Sequence, residues 1–311
     1  MKNIVSIILF LVLITPNGLS QELRLVDSIV TSYPSSGQTV KKLSKRINSS
    51  FKSDLEKVRA IYTWIALNVS YDIKESGKYN YTNFDEEERL VKDIKQTKKL
   101  SKRVISKRKA VCEGYASLFH ELCIATGLES EIVLGNAKTN ISQIGNSNRY
   151  NHAWNIVQID NSKYLFDVTW DAIYEFKPNV TYRYFMTNPR IFIKNHFPKS
   201  SINQLIDKPV SQTAYANWPL FHMTSSTEEF EISPIQGILS KKENVNFEIR
   251  TINDTHLTSA GYSIGKQFVN VTDLINQNGN SINFSVEKEK LTNSKLTIFM
   301  NNKSVASYKL K

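Results

Sequence analysis

The chain has 311 residues, with 40 lysines and arginines against 29 aspartates and glutamates and a formal net charge of +11. This length is more than one typical domain requires, and it is enough for a substantial hydrophobic core. No segment after residue 20 is apolar enough to cross a bilayer, so the sequence excludes an integral membrane segment beyond its N-terminus.

The N-terminus has the pattern of an export signal. Lys2 precedes an apolar run over residues 4–14, and the helix breaker Pro16 is followed by small residues at positions 18 and 20. These are the −3 and −1 positions of a cut before Gln21, and the apolar run is too short for a membrane anchor. We predict a cleaved signal peptide over residues 1–20. The product is then secreted or periplasmic, with a net charge of +10 because only Lys2 is lost.

Helical periodicity dominates the following part of the chain. Short helices are predicted over residues 22–30 and 39–47, and a longer amphipathic helix over residues 54–69, where apolar residues recur at helical spacing. Ser53 and Glu56 form a capping-box pattern at the start of this longer helix.

Another helix is predicted to begin at Cys112. Its apolar residues recur every three or four positions, and Gly127 supplies a C-terminal stop. Cys112 then lies in the first turn, where unpaired backbone N–H groups and the positive end of the helix dipole favour a thiolate over a thiol. Cys112 is therefore a candidate nucleophile.

The two cysteines are predicted to be free thiols, although an exported chain with two cysteines usually forms a disulfide. Cys112 and Cys123 lie on one predicted helix, and the residues between them span roughly 16 Å at ~1.5 Å per residue. A disulfide needs Cα atoms less than about 7 Å apart. Cys123, in the helix interior, is predicted to be an inert core residue, which leaves Cys112 as the reactive thiol.

A strongly basic segment precedes Cys112. Residues 92–109 contain nine lysines and arginines and one aspartate. Such a run commonly forms a solvated helix face. Its position also supports two sharper interpretations, attraction of an anionic surface polymer or substrate, and a lowered pKa of the Cys112 thiol. We predict no nucleic-acid partner.

The order of elements then changes from helices to strands. Strands are predicted over residues 131–135, 152–159 and 163–171, and a turn at residues 160–162 joins the last two as a hairpin. The connection over residues 172–204 is predicted to wrap back over this sheet. Helices followed by an antiparallel sheet indicate an α+β fold.

From about residue 205 helical periodicity disappears, and short β-prone runs separated by turn signals predict a small β-sandwich. These runs cover residues 228–232, 244–252, 260–264, 281–286, 295–300 and 304–309. The predicted organisation is a signal peptide (1–20), an α+β domain (21–204) and a β-sandwich domain (205–311).

Three residues of the α+β region could work together. Nucleophilic Cys112 needs a base, and the base needs a carboxylate or amide to fix its tautomer. His152 opens a predicted strand, and Asp167 lies on the next strand within an apolar run, where a carboxylate requires a partner. With a two-residue loop at 161–162, however, His152 would pair with Asp171. The residues alone therefore leave two candidates for the orienting carboxylate.

These segments resemble the core motifs of the transglutaminase-like superfamily. Three motifs carry the resemblance: Ala-Val-Cys-Glu-Gly-Tyr-Ala at 110–116, Asn-His-Ala-Trp-Asn at 151–155 and Phe-Asp-Val-Thr-Trp-Asp at 166–171. The helix that ends in Ser-Tyr-Asp at 70–72 is similar to the one that precedes the family's core. The likeness covers roughly residues 54–175 and implies a papain-like core.

A further likeness extends to the kyphoscoliosis-peptidase-like branch of this superfamily. In that branch a β-domain follows the core. Here the segments Trp-Pro-Leu at 218–220 and Phe-Glu-Ile-Ser-Pro at 230–234 resemble the stretch that leads into it.

The resemblance implies an acyl-transfer activity on amides, which in this superfamily means peptide hydrolysis, deamidation or Gln–Lys cross-linking. It assigns Cys112 as the nucleophile, His152 as the base, and Asp167 rather than Asp171 as the orienting carboxylate. The backbone N–H of Cys112 is then a natural oxyanion donor.

We therefore expect an exported cysteine-dependent peptidase or amidase that acts on a protein or peptide. No cluster of acidic residues has the pattern of a calcium site, so no cofactor is expected. The alternative is a non-catalytic cell-surface binding or scaffold protein that retains the fold. No ligand-like partner at a useful spacing is predicted for the remaining histidines, which are His120, His196, His222 and His256.

Overall fold

The computed structural model describes residues 16–75, 86–146, 150–172, 180–222, 229–252 and 255–311. The helices are α1 (Pro16–Thr31), α2 (Val40–Ser50), α3 (Asp54–Asn68), α4 (Glu86–Lys107), α5 (Cys112–Thr126), α6 (Val168–Ala172), α7 (Pro189–Phe192) and α8 (Gln212–Asn217). The strands are β1 (Ser70–Tyr71), β2 (Lys109–Ala110), β3 (Glu129–Ala137), β4 (His152–Ile159), β5 (Ser162–Phe166), β6 (Phe185–Thr187), β7 (His196–Pro198), β8 (Leu220–Phe221), β9 (Glu229–Ser233), β10 (Ile238–Leu239), β11 (Val245–Ile252), β12 (Ala260–Ile264), β13 (Gln267–Asn270), β14 (Ser281–Val286), β15 (Lys295–Met300) and β16 (Lys303–Leu310). The predicted α+β class is confirmed, since helices and an antiparallel sheet precede a β-rich region.

Helix α3 begins with the predicted capping box. The hydroxyl of Ser53 accepts the Glu56 backbone N–H at 3.2 Å, and the Glu56 carboxylate accepts the Ser53 backbone N–H at 2.9 Å. The helix differs from the expected amphipathic one because all of residues 58–65 are buried. It is packed on every side over this stretch, so α3 is a central helix of the core.

Helix α5 is the second central helix. It packs against α2, α3 and α4 on one side and against β3 and β4 on the other. Tyr115, Phe119 and Leu122 are fully buried, and each such side chain contributes about 1.5–3 kcal/mol to stability. Gly127 ends the helix in the left-handed conformation, with φ 90°, as predicted. The element that carries Cys112 is therefore firmly held.

A five-stranded antiparallel sheet, in the order β6-β5-β4-β3-β7, packs against α5. In the β4–β5 hairpin Ile159 pairs with Ser162, so the loop is Asp160-Asn161 and not the expected 161–162. Asp160 adopts a φ of 53°, which aspartate tolerates in a tight hairpin turn. The connection that was expected to cover this sheet instead adds β6 and β7 at its two edges.

The predicted strand over residues 163–171 is wrong beyond Phe166, because residues 168–172 form helix α6. One carboxylate oxygen of Asp167 accepts the backbone N–H groups of Thr169 at 2.9 Å and Trp170 at 3.3 Å. This is a helix N-cap, which turns the chain out of the sheet. The expected pairing of His152 with Asp171 is therefore also wrong.

The β-rich region consists of two sheets that share one hydrophobic core. One sheet has the order β10-β16-β15-β12-β13, with β8 also paired to β16, and the other has the order β14-β11-β9. Along β11 buried and exposed residues alternate, so that strand presents one face to the core. Strand β13 was not predicted. It is an edge strand whose residues are largely exposed, so they do not show the alternation of buried and exposed residues that predicts a strand.

Helix α8 and two lysines form hydrogen bonds between the α+β region and the β-rich region. Tyr215 of α8 is fully buried and donates its hydroxyl to the carbonyl of Asn195 at 2.9 Å. Lys138 donates its ammonium to the carbonyl of Trp218 at 3.0 Å, and Lys194 donates to that of Phe230 at 2.6 Å. The boundary at residue 205 stays a prediction.

Among the described residues, no helix combines the length and the apolar character needed to cross a membrane. Most of the predicted signal peptide lies outside the described residues, and its residues 16–20 form the start of α1. The cleavage before Gln21 stays a prediction.

Candidate active site

Two short parallel strands hold the segment in front of Cys112. Strand β1 follows α3, and its Tyr71 pairs with Ala110 of β2. The backbone N–H of Asp72 donates to the Ala110 carbonyl at 2.8 Å. The end of α3 and the start of α5 are therefore tied together beside the cysteine.

Cys112 is the first residue of α5, and 8% of its surface is exposed. The residue at the helix N-cap, Val111, forms no side-chain cap. Such a helix N-terminus favours an anion. Gly114 is required for packing here, because a Cβ would lie 2.8 Å from the Ala110 Cβ and 2.9 Å from a Val104 methyl group. The glycine lets α4 approach the first turn of α5.

Both cysteines are free, as predicted. Cys123 is fully buried, and burial raises the pKa of its thiol well above the ordinary value. This thiol is protonated at neutral pH, which leaves Cys112 as the candidate for reaction.

His152 is the first residue of β4 and is tied to the cysteine helix through its neighbours. The side chain of Asn151 accepts the Ala137 backbone N–H at 2.8 Å and donates to the Ala137 carbonyl at 3.0 Å. Asn155 donates to the Ala116 carbonyl of α5 at 3.1 Å. The Asn-His-Ala-Trp-Asn motif thus positions the histidine against α5.

Asp167 is 1% exposed and lies between β5 and α6. While Oδ1 caps α6, Oδ2 lies 2.6 Å from Nε2 of His152. Burial raises the pKa of this carboxyl, but the charge and hydrogen bond of His152 and the hydrogen bond of His196 outweigh burial and hold the pKa well below its usual range. Asp167 is therefore an anion inside the core.

His152 is coupled to both predicted partners. Burial opposes its charged form, but the Asp167 carboxylate and then the Cys112 sulfur, each acting by charge and by a hydrogen bond, raise the pKa of His152 well above its ordinary value. Because Nε2 faces Asp167, Nδ1 is the ring nitrogen that remains for the sulfur. The structure thus brings Cys112, His152 and Asp167 into one hydrogen-bonded chain.

Asp171, the alternative orienting carboxylate, is engaged elsewhere. One of its oxygens accepts the Tyr62 hydroxyl at 2.6 Å and the Tyr184 backbone N–H at 3.0 Å. The other accepts the Thr181 hydroxyl and the Arg183 backbone N–H. These contacts tie α3 to the segment before β6, which is a structural role.

A further side chain, His196, contacts the same carboxylate, so the expectation that it has no partner is wrong. Its Nε2 lies 3.0 Å from Oδ2 of Asp167, and the residue is fully buried. Burial lowers the pKa of His196 to about 4 against the attraction of Asp167, so the contact is a hydrogen bond from a neutral ring and not an ion pair. The available signal in the sequence was the set of apolar residues at 191–193 and 197 that flank this histidine, because a buried histidine requires a polar partner.

Sheet topology explains how this histidine reaches the site. His196 begins β7, which pairs with β3 on the side opposite β4. Aromatic rings surround it: Phe192 stacks on the imidazole with centroids 4.2 Å apart, and the Trp170 centroid lies 4.3 Å away. This apolar surrounding leaves Asp167 and the neighbouring Asn195 as its hydrogen-bond partners.

His152, Asp167 and His196 are also the one group among the described residues whose ligand-type atoms lie close enough together to hold a metal ion. Their facing atoms already form hydrogen bonds of 2.6 and 3.0 Å to each other. Those bonds account for the arrangement, and we assign no metal site.

Part of the basic run is paired near the site. Arg103 contacts Glu75 at 2.5 Å, and Lys109 contacts Asp72 at 3.8 Å. The remaining described lysines of the run include exposed ones on α4, which are Lys95, Lys98, Lys99 and Lys102. Their role in binding an anionic partner stays a prediction.

The family model described as the transglutaminase-like superfamily matches residues 41–167. The chain is 31% identical over 209 residues to kyphoscoliosis peptidase of Homo sapiens and 30% identical over 209 residues to that of Mus musculus. Each alignment covers 65% of this chain and 28% of the relative. Lim and transglutaminase domain protein ltd-1 of Caenorhabditis elegans is 28% identical over 196 residues, which cover 57% of this chain and 25% of that protein.

The chain spans little more than a quarter of the length of the curated relatives that it matches. The matched family range nevertheless contains α2 to α5, strands β3 to β5 and all three residues of the hydrogen-bonded chain. Residues 41–167 therefore form a transglutaminase-like domain, and the similarity to the two kyphoscoliosis peptidases supports that branch of the superfamily.

Proposed function

We propose that this protein is an exported cysteine-dependent peptidase or amidase that forms an acyl-enzyme on Cys112. The observation that carries the proposal is the buried chain in which Asp167 holds Nε2 of His152 at 2.6 Å and His152 hydrogen-bonds Cys112. Acyl transfer through a thiol requires these three groups, a nucleophile, a base and a residue that orients the base.

The charges of the site favour a reactive resting state. Coupling between two titrating groups is reciprocal, so an imidazolium at His152 favours a thiolate at Cys112 as strongly as the thiolate favours the imidazolium. The first turn of α5 adds partial positive charge at the sulfur. Since Asp167 is an anion as well, the proton rests on His152, and the thiolate can attack without a preceding proton transfer.

The reaction follows from this arrangement. The Cys112 thiolate attacks the carbonyl carbon of an amide, forming a C–S bond while the carbonyl electrons move to oxygen, where the Cys112 backbone N–H stabilises them. Collapse breaks the C–N bond, and His152 gives its proton to the leaving nitrogen. Water then loses a proton to His152 and attacks the thioester. The C–S bond breaks, and the acid and the thiolate are released.

Hydrolysis is favoured over cross-linking by the relatives, two of which are named peptidases. The substrate class is a protein or peptide, because the chemistry needs a carboxamide or a peptide bond. Export rests on the predicted signal peptide, and the exposed lysines of α4 would attract an anionic surface polymer.

Alkylation by iodoacetamide at varied pH tests the proposal without knowledge of the substrate. If the ion pair exists, Cys112 of the wild type reacts rapidly well below the ordinary thiol pKa of about 8.5. The His152→Ala variant should react only as the pH approaches that value. Intact-mass spectrometry gives the rate and the number of labels.

Cys123 provides an internal control. The native protein should take one label and the urea-unfolded protein two, and a Cys112→Ser variant should take none in the native state. Identical pH profiles for the wild type and His152→Ala would overturn the enzymatic proposal and favour the non-catalytic scaffold. Incubation with a mixed peptide library, with Cys112→Ser as the blank, then identifies the scissile bond.

A further inference from the structure

Oδ2 of Asp167 is shared by two histidines. Nε2 of His152 lies 2.6 Å from it and Nε2 of His196 lies 3.0 Å from it, whereas Oδ1 is occupied by the backbone at the start of α6. A nucleophile, a base and an orienting carboxylate need only the first of these contacts. The second contact is an addition that the triad does not explain.

The protonation of His196 follows from its partners. A neutral ring has one N–H, and on Nε2 this N–H points at the carboxylate. Nδ1 must then accept a hydrogen bond, but the atom 2.6 Å from it is Oδ1 of Asn195, while Nδ2 of Asn195 faces the Tyr184 hydroxyl. Two acceptors cannot share a hydrogen bond, so this protonation requires the oxygen and nitrogen of the Asn195 amide to be exchanged, a flip that leaves the shape of the side chain unchanged. With its NH2 group toward Nδ1, that amide directs its oxygen at the Tyr184 hydroxyl 3.2 Å away, which can donate. Every group in this chain is then satisfied.

The surroundings make the contact sensitive to substitution. His196 is fully buried against Phe192 and Trp170, so water does not replace a lost donor. If Oδ2 of Asp167 loses one of its two donors, this oxygen is held in place less firmly and part of the compensation for the buried charge is lost.

We propose that His196 is a positioning residue for the triad: as a neutral imidazole it donates from Nε2 to Asp167 and holds that carboxylate in line with His152. This inference rests on the proposed function, since it assigns His196 a task in supporting the Cys112–His152 pair. His196 touches neither the sulfur nor the scissile bond in this scheme and acts through Asp167.

Two substitutions separate positioning from packing. His196→Leu fills the space without a donor, and His196→Gln places an amide N–H near the former Nε2 position. In a plot of alkylation rate against pH, the reactivity of wild-type Cys112 should fall off only at acidic pH. For the Leu variant we expect this acidic limb of the profile to lie about one pH unit higher. This is roughly a tenfold slower reaction on that limb. The Gln variant should recover most of the rate. A lower Tm with an unchanged profile in the Leu variant would show a purely structural role and overturn the proposal.

Nuclear magnetic resonance of the wild type keeps the inference testable if the variants do not fold. The chain has five histidines, so ¹⁵N-histidine labelling gives few ring signals. His196 should show the neutral tautomer protonated at Nε2 from about pH 6 to 9, because its pKa is lowered to about 4. An imidazolium, or a proton on Nδ1, would contradict the inference. Slow alkylation of wild-type Cys112 would instead defeat the proposed function, and the tautomer distinguishes the two failures.

Discussion

The Asp167→Asn substitution gives the most direct test of the site. The asparagine can keep the helix-capping oxygen toward Thr169, but its NH2 group then faces Nε2 of His152 in place of an anionic oxygen. To accept from this amide, His152 must carry its own proton on Nδ1, the nitrogen that faces Cys112. In this tautomer the imidazole cannot take a proton from the thiol, and the ion pair that favours the thiolate is lost.

The size of the effect follows from thiol titration. In the proposed ion pair of the wild type, Cys112 is a thiolate at neutral and mildly acidic pH. In Asp167→Asn it titrates like an ordinary thiol with a pKa of about 8.5, which leaves roughly 3% thiolate at pH 7 and roughly 0.3% at pH 6. Alkylation should therefore slow by up to roughly 30-fold at pH 7 and roughly 300-fold at pH 6. The greater intrinsic nucleophilicity of a more basic thiolate offsets part of this loss.

The assay is the second-order rate of iodoacetamide labelling from about pH 5 to pH 9, a range that spans the ordinary thiol pKa. Asp171→Asn is the matched control, because Asp171 is also buried but binds Tyr62 and the backbone before β6. It should lower the Tm and leave the labelling profile unchanged. A wild-type profile in Asp167→Asn, or a lost acidic limb in Asp171→Asn alone, would refute the reasoning.

Three further outcomes are expected. Gly114→Ala should destabilise the protein by about 1–3 kcal/mol in urea unfolding, because its Cβ would lie 2.8 Å from the nearest side-chain carbon. Since Asp167 and Cys112 raise the pKa of His152 to about 10 despite burial, the contribution of the His152 imidazolium to the free energy of unfolding should be lost as pH rises toward 10. Urea titrations at several pH values measure this loss, and the His152→Ala variant should not show it. Changing Lys98, Lys99 and Lys102 to glutamate should lower the salt concentration that elutes the protein from a sulfated-polysaccharide column.

Local patterns in the sequence were enough to locate the candidate nucleophile. The periodicity after Cys112 and the stop at Gly127 predicted a buried helix with the cysteine in its first turn, and α5 spans Cys112–Thr126. The spacing along this helix also excluded a disulfide with Cys123, and both thiols are free. Such features depend on residues within a few turns of one another, which is the range over which periodicity and capping act.

Residue patterns alone left two aspartates open and the family resemblance chose Asp167, but the physical reason for that choice required the tertiary structure. A strand through residues 163–171 would place both carboxylates on one face, but Asp167 caps a helix instead and turns Asp171 away from His152. Asp171 is held there by the Tyr62 hydroxyl, which is 109 positions away in the chain. A contact at that separation has no trace in the local pattern.

His196 shows the same limit more clearly. The sequence predicted no partner for it, because the contact depends on β7 joining the edge of β3, which brings His196 to a carboxylate 29 positions earlier. The sequence by itself pointed to Cys112, His152 and Asp167 as the candidate residues, and it placed Cys112 and His152 correctly at the start of a helix and of a strand. Only the packing of the sheet on α5 and α6 showed the geometry by which Asp167 contacts His152 and by which a second histidine contacts that carboxylate, because long-range strand pairing and buried hydrogen bonds determine both.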